Sequence, residues 1–335
     1  MPWRTDPRDP YPSLVSEFML QQTQVSRVLE KFGPFLKQFG SLRALAGASE
    51  AEVLAAWSGL GYYRRARLLH ACAKAAARQH GGRIPRDIEE LRELPGVGRY
   101  TAGAIASIVF GDKHPIVDGN VCRVLQRLEA REGHAGGKDV VGWAWKRAEV
   151  LVGLTARGKE VAAFNEGLME LGATVCLPGT PRCDECPLAI ECEARRVGAQ
   201  RRIPAPKPRS PRRRVFHNCL IVRSETGELL IEKRPGKGLW ASMWQAPTIE
   251  TDGAALDSVG ELLRELRLPL KGLKLENEKP ENSVFHTTHR AVHFSVWKAR
   301  MTGRIGAGRT RRWAKPAELD SLALANAHRR LLLDS

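Results

Sequence analysis

The sequence predicts two unlike domains, an all-α domain followed by a smaller α+β domain. Three observations carry this. Apolar residues recur at helical spacing from residue 13 to about 173, broken by Gly and Pro. From Arg195 to Arg214 nine residues are basic, none is acidic and four are proline, the composition of an extended, self-repelling linker. Beyond the linker, apolar residues alternate as they do in strands.

In the first half, Leu14, Val15, Phe18 and Val25 fall near helical spacing, as do Val53, Leu54 and Trp57, and then Leu68, Leu69 and Cys72. Gly33-Pro34, Gly59-Leu60-Gly61, Gly81-Gly82 and Pro95-Gly96 are expected to break the helices between them. Cysteines close this half at Cys176, Cys183, Cys186 and Cys192. In the second half, Phe216–Val222 and Leu229–Glu232 flank Glu225-Thr226-Gly227-Glu228 and read as a hairpin. A helix is expected over Ala254–Leu266, and alternation over Val284–Arg300 reads as strand. The expected domains are thus 1–194, with the cysteine loop at 176–192, a linker at 195–214, and 215–335.

A chain of 335 residues, 43% hydrophobic and 27% charged, can build two cores. No run approaches the ~18 apolar residues of a membrane span, and Met-Pro-Trp-Arg-Thr-Asp at the start is no export signal. The expectation is a cytoplasmic, bacterial-type, nucleoid-associated protein in a reducing compartment, not secreted. Lys and Arg number 53 against 37 Asp and Glu, a net charge of +16 that implies a polyanionic partner, nucleic acid before membrane.

The four clustered cysteines stand at Cys-x6-Cys-x2-Cys-x5-Cys, while Cys72, Cys122 and Cys219 are scattered. Four thiolates so near in sequence can close around one metal centre, zinc or an iron–sulfur cluster. The spacing does not name the metal. The paired Cys-x2-Cys units of common zinc modules are absent, which favours the cluster.

Leu94-Pro95-Gly96-Val97-Gly98 joins two short helices, the second expected over Tyr100–Phe110. Leu94 and Val97 anchor the turn, while Gly96 and Gly98 strip it of side chains. Backbone N–H groups can then face an anion and grip one DNA strand through its phosphates. This is a helix–hairpin–helix motif.

Together these residues resemble the A/G-specific adenine DNA glycosylases of the MutY family. The matching segments are Ser16-Glu17-Phe18-Met19-Leu20-Gln21-Gln22-Thr23-Gln24-Val25, Gly59-Leu60-Gly61-Tyr62-Tyr63, Leu94 to Gly103, Val117-Asp118-Gly119-Asn120-Val121 and the four cysteines. They span residues 2 to 192 in the family's order. The resemblance implies one 4Fe–4S cluster on Cys176, Cys183, Cys186 and Cys192. It also implies hydrolysis of the N-glycosidic bond of adenine mispaired with 8-oxoguanine or guanine in duplex DNA, by a monomer.

Breaking that bond builds positive charge on the sugar and negative charge on the base. Glu17 sits among Leu14, Phe18 and Leu20, where burial raises a carboxyl's pKa and keeps a proton available. By resemblance Glu17 protonates N7 of adenine and later guides water. Asp118 stands at a helix start, an N-cap position; by resemblance its carboxylate also stabilises the oxocarbenium ion. Tyr100 and Asn120 match positions that orient these carboxylates. Where Tyr100 stands, endonuclease-III-type glycosylase/lyases carry a lysine that forms a Schiff base. A phenol cannot, so a monofunctional enzyme is expected. Gln22 and Tyr62 match residues that wedge into the base stack when adenine is extruded.

Residues 215–335 resemble a Nudix-like domain through Gly238-Leu239-Trp240-Ala241-Ser242-Met243-Trp244 and Trp313-Ala314-Lys315. Glu261-Leu262-Leu263-Arg264-Glu265-Leu266 lacks the Arg-Glu-x-x-Glu-Glu pattern of a magnesium-holding helix, so binding without hydrolysis is expected. By resemblance the domain reads 8-oxoguanine. Phe285-His286-Thr287-Thr288-His289 matches the family's reading loop loosely, and Thr288 and His289 are its candidate contacts. The chain begins at Pro2-Trp3-Arg4, where relatives have about another helix. Either the start is misassigned or the first helix is missing, and in the second case packing over the cluster side is expected to suffer. Cys122 stands where some relatives have lysine. The rival readings are a bifunctional lyase, a non-catalytic iron–sulfur DNA-binding protein and a Nudix pyrophosphatase. Tyr100, the pair Glu17 with Asp118, and the missing carboxylate helix disfavour them in turn.

Overall fold

The computed structural model describes residues 1–207, 211–269, 271–303, 305 and 310–333, without the side chains of 320 and 321. Pro208 of the expected linker lies outside the described residues. The chain packs as two units, one of Met1–Ala48 with Arg64–Arg209 and one of Ser49–Tyr63 with Ser210–Ser335. No helix among the described residues is long and apolar enough to cross a membrane.

The first unit is all-α, as expected. Its N-terminal helices are α1 (Pro10–Leu20), α2 (Val25–Gln38) and α3 (Leu42–Gly47). Helix α4 (Glu50–Ala56) belongs to the second unit. The first unit resumes with α5 (Arg64–Gln79), α6 (Ile88–Glu93) and α7 (Arg99–Ala104), then α8 (Gly119–Leu128), α9 (Lys138–Gly153), α10 (Lys159–Thr174) and the short α11 (Glu193–Arg196). Polar caps set several starts: Asp9 accepts from Tyr11 N in α1, and Asp87 accepts from Glu89 and Glu90 N in α6. Two expectations about helices are corrected. Helix α2 runs through Gly33-Pro34 rather than breaking there. Pro34 is exposed, so its ring meets solvent, while Phe32 and Phe35 on the other face are buried and hold the helix together. The helix expected over Tyr100–Phe110 is α-helical only to Ala104 and continues as a π-helical turn, Ile105–Val109. Within that turn Ser107 Oγ bonds back to Gly103 O at 2.7 Å and accepts from Asn165 Nδ2 at 2.9 Å, so a buried side chain supports the widened backbone.

The basic segment after the cysteines is not an extended tether throughout. Ala199 and Ile203 are buried with Ala194, against Ala130 and Cys192. Ala205 N bonds to Gly133 O at 2.9 Å. Three apolar side chains in an otherwise basic stretch are enough to dock its first part. The N-terminal residues are also fixed: Trp3 meets Phe32 edge to face at 5.2 Å, and Arg8 forms a two-pronged bond to Glu166 at 2.8 Å on both oxygens.

The second unit is α+β, as expected. Its strands are β1 (Arg213–Ser224), β2 (Leu229–Lys233), β3 (Trp244–Gln245), β4 (Thr248–Thr251), β5 (Leu273–Leu275), β6 (Glu281–His286), β7 (Arg290–Met301) and β8 (Arg311–Ala314). Helices α12 (Val259–Leu266) and α13 (Asn326–Leu333) pack with them. Strands β1 and β7 run parallel from Arg213↔Arg290 to Ser224↔Met301 at the centre of a mixed sheet, and β1 with β2 forms the expected hairpin. The alternation over Val284–Arg300 resolves into two antiparallel strands, β6 and β7, reversed at 287–289. The helix expected from Ala254 starts at Val259, because Ser258 caps it by accepting from Glu261 N. The strand period sorts Cys219 and Ile221 into a core shared with α13, and Leu220 and Val222 into one shared with α12.

Segment 49–63 lies in the helical half of the sequence yet packs with the second unit. Tyr63 Oη donates to Leu324 O at 3.0 Å, and Arg329 Nη2 to Ser58 Oγ at 3.3 Å. Periodicity reports which face of a helix is apolar, not which neighbour covers it.

Candidate active site and cysteine loop

Four of the residues singled out in the sequence come together in the first unit. Glu17 projects from α1 between buried Ser16 and Phe18. It is only half-buried as a residue, while its carboxyl end is enclosed. This carboxyl is pushed up to about 7, by burial first and then by the negative charges of Asp118 and Glu166, against a hydrogen bond from Tyr100 that lowers it. The Tyr100 phenol is held well above its ordinary pKa, by burial first and then by Glu17 and Asp118. It therefore stays a neutral donor. Its one proton can reach Met169 Sδ at 3.4 Å or the Glu17 carboxyl, and the ionised carboxylate is the stronger acceptor.

Asp118 is the N-cap of α8, as its position in the sequence suggests. One carboxylate oxygen accepts from Val121 N at 2.7 Å, the other from Asn120 Nδ2 at 2.9 Å. Asn120 Oδ1 in turn accepts from Arg123 Nη2 at 2.9 Å. Arg123 is anchored by Gly172 O and Cys176 O, both at 2.7 Å. A continuous chain of hydrogen bonds thus joins the first cysteine's backbone to Asp118. Gly172 makes the approach possible, since a Cβ there would stand 2.7 Å from Asn120 Cβ.

The hairpin turn packs as its sequence demands. Leu94 and Val97 are buried, and Val97 N closes on Leu94 O at 3.0 Å. Gly96 has φ +80°, and a Cβ there would meet Leu68 Cβ at 2.8 Å and Phe18 Cε1 at 2.9 Å. The turn therefore sits against the residue next to Glu17. Gly98 is extended and opens α7, where Arg99 lies 4.0 Å over the Trp145 ring.

Both wedge candidates hold left-handed backbone without being glycine, Gln22 at φ +58° and Tyr62 at φ +48°. Both side chains are exposed. Within the second unit, Tyr62 Oη lies 2.7 Å from Thr288 Oγ1. Two separate guesses from the sequence are thereby brought into contact. His289 caps the β6–β7 turn through its backbone, accepting from Arg213 N at 3.1 Å.

Cys176, Cys183, Cys186 and Cys192 are free thiols, all half-buried. Burial and the neighbouring cysteines raise the Cys183 and Cys186 thiols. The four therefore stand within electrostatic reach of one another, a donor set suited to a thiolate-bound centre. Among the described residues no group of three or more His, Cys, Asp or Glu is arranged to hold a single ion.

Sequence reasoning missed Glu166, Met169, Arg123 and Arg127. The two arginines carried a signal: Asn120, Arg123 and Arg127 fall on one stripe of α8, and charged residues on a buried stripe need partners. Glu166 carried none, because its meaning comes from α10 packing beside α1.

Two family models match the chain, one described as HhH-GPD superfamily base excision DNA repair protein over residues 15–147 and one as NUDIX domain over residues 218–334. The chain is 33% identical to the adenine DNA glycosylase of Rattus norvegicus over 99% of its own length and 74% of that protein's. It is 31% identical to the Homo sapiens adenine DNA glycosylase, over 99% of its own length and 70% of that protein's. The structure of a thermostable thymine-DNA glycosylase is similar with a TM-score of 0.51 at 29% identity, over 59% of this chain and 88% of that one. The chain belongs to the adenine DNA glycosylase family.

Proposed function

We propose that this family member hydrolyses the N-glycosidic bond of adenine mispaired with 8-oxoguanine or guanine, and that it does so as a monofunctional glycosylase. The observation that carries the reading is the Glu17 carboxyl, pushed up to about 7 beside Tyr100 and Asp118. A carboxyl with that pKa holds a proton at neutral pH and can give it up, as a general acid must. Glu17 protonates the leaving adenine at N7, and the base departs with the electrons of the glycosidic bond. Asp118, fixed by Val121 N and Asn120, presents its carboxylate to the positive sugar. Glu17, now ionised, accepts a proton from the water that attacks the sugar. Tyr100 donates to the ionised Glu17 and offers no amine for a Schiff base.

The hairpin Leu94–Gly98 grips strand phosphates, and Gln22 and Tyr62 fill the stack that adenine leaves. Thr288, His289 and the Nudix-like domain read the opposite base without hydrolysing a nucleotide. Cys176, Cys183, Cys186 and Cys192 hold one 4Fe–4S cluster. Four free thiols in a small loop support this, and a cluster spans a wider gap than one zinc ion at about 2.3 Å from each sulfur. When bound, the cluster supplies a rigid, charged core to the loop, and no step of the hydrolysis passes through it.

The test is direct. Purified protein is incubated with duplexes holding A opposite 8-oxoguanine, G or T, then treated with alkali. Adenine release from the first two, and strand cleavage only after alkali, is expected. No release opposite 8-oxoguanine defeats the reading. Nicking without alkali, with a borohydride-trapped adduct, replaces it with a lyase.

A further inference from the structure

The polar contacts around the four cysteines converge on a side chain that the hydrolysis does not use. Arg127, on α8, is 2% exposed. Its Nη1 donates to Leu177 O at 2.8 Å and lies 3.2 Å from Cys176 Sγ, while Nε donates to Ile203 O at 2.8 Å. Its own carbonyl oxygen lies 3.4 Å from Cys192 Sγ. One residue therefore touches the first cysteine, the last cysteine and the docked segment beyond them.

The charge balance around it is incomplete without the loop's sulfurs. Among the described residues no carboxylate stands within ion-pair distance of Arg127 or of Arg123. Arg123 and Arg127 stand one turn apart on α8 and both reach Cys176, Arg123 through its carbonyl at 2.7 Å and Arg127 toward its sulfur at 3.2 Å. Two buried cations side by side are unfavourable unless an anion faces them. Four thiolates on a metal centre supply that anion, and Arg127 is the cation in contact with one of the sulfurs. The covering segment has little else to hold it: Ala194, Ala199 and Ile203 form a small core with Ala130 and Cys192.

We propose that Arg127 is the positioning residue that latches the cluster in place. It holds Cys176 in place as a ligand and ties residues 193–205 across the loop, so that cluster retention and closure of this segment are one event. The proposal rests on the cluster reading above, and the experiment separates the two. Wild type, Arg127→Leu and Arg127→Lys are purified without oxygen, and iron and acid-labile sulfide are measured per chain. The loss of visible absorbance on adding ferricyanide is then timed, and tryptic cleavage at the exposed Arg195, Arg196, Arg201 and Arg202 is followed.

Wild type is expected to hold iron and sulfide and to resist trypsin in this segment. Arg127→Leu is expected to lose its absorbance at least about tenfold faster, the usual effect of removing a partner of a metal ligand, and to be cut there. Arg127→Lys, which keeps the charge but not the three-point fork, is expected to fall between them and keeps the test open should the leucine variant not fold. A folded variant with the wild-type loss rate and wild-type protection overturns the latch. Wild type without iron and sulfide overturns the cluster reading, and the latch with it.

Discussion

Two glutamates, one in each unit, receive opposite treatment. Glu17, in the catalytic unit, has two anionic neighbours, Asp118 and Glu166, and its carboxyl sits at about 7. Glu250, in the Nudix-like unit, lies 2.6 Å from Arg234 Nη2 and 3.4 Å from His217 Nε2, and is pulled down to about 2 by His217 first and Arg234 next. The first arrangement costs stability and leaves a proton ready to move. The second fixes a charge and ties β4 to β1 and to Arg234, the residue just after β2. At the carboxyl proposed as the acid the protein withholds the counter-charge, and at Glu250 it supplies one.

The contrast can be broken most severely at Glu17. Glu17→Gln keeps the shape and removes the transferable proton. Its single-turnover rate is expected to fall by about 10²–10⁴, the range for general acid catalysis, with affinity for the mispaired duplex retained. Turnover near that of wild type removes Glu17 from its role.

The packing beneath Glu17 comes next. Gly96→Ala sets a Cβ against Leu68 and Phe18 in a left-handed turn, so strain and overpacking act together. A loss of about 1–3 kcal/mol is expected in urea denaturation. In the other region, Arg234→Met leaves Glu250 without its main cation. Because Glu250 is 38% exposed, solvent screens the loss, and about 1 kcal/mol is expected. A larger effect for Arg234 than for Gly96 would reverse the order drawn here.

The finest test is pH. In the proposed mechanism Glu17 acts in its protonated form, so the excision rate is expected to fall as pH rises through about 7. Glu166→Gln removes one of the charges that raise Glu17, and the falling limb is expected to move to lower pH. Arg8→Ala removes the nearer of the two arginines that pair with Glu166, leaving Arg4 at 3.2 Å, and the limb is expected to move higher. Stability runs in opposite directions in the two units. Glu17, raised when folded, favours the folded state more as pH falls from about 7 toward its ordinary 4.5. His217 and His328 are buried and lowered from 6.5, so the unfolded chain gains protons there first and the second unit loses stability as pH drops below that value. Glu250 adds to this loss from 4.5 down to about 2. Hydrogen exchange resolved by unit checks whether the two slopes differ in sign.

Much of this was legible in the chain. Helices α1 and α8, the hairpin turn and the cysteine loop follow from local pattern, because caps, glycines and apolar spacing act within a few residues. The same locality explains the misses. Pro34 sits inside α2 because it faces solvent, a matter of orientation that a dipeptide does not reveal. Residues 199–205 dock because Ala199 and Ile203 find Ala194 and Ala130, although basic composition suggested a free tether. Tyr62 and Thr288 were separate candidates, and only the folded second unit puts their hydroxyls 2.7 Å apart.

The sequence by itself determined the kinds of chemistry available: an enclosed glutamate, a capping aspartate, a glycine-opened hairpin turn and four sulfurs. Tertiary structure decided how each is tuned. Glu166 reaches the surroundings of Glu17 from α10, Arg123 carries the cysteine loop's backbone to Asp118, and Arg127 spans the loop from first cysteine to last. Local geometry is set by dihedral preferences and helical period, which neighbours in the chain dictate. A pKa or a buried ion's partner is set by whatever stands a few ångströms away, and for these groups that comes from distant parts of the chain.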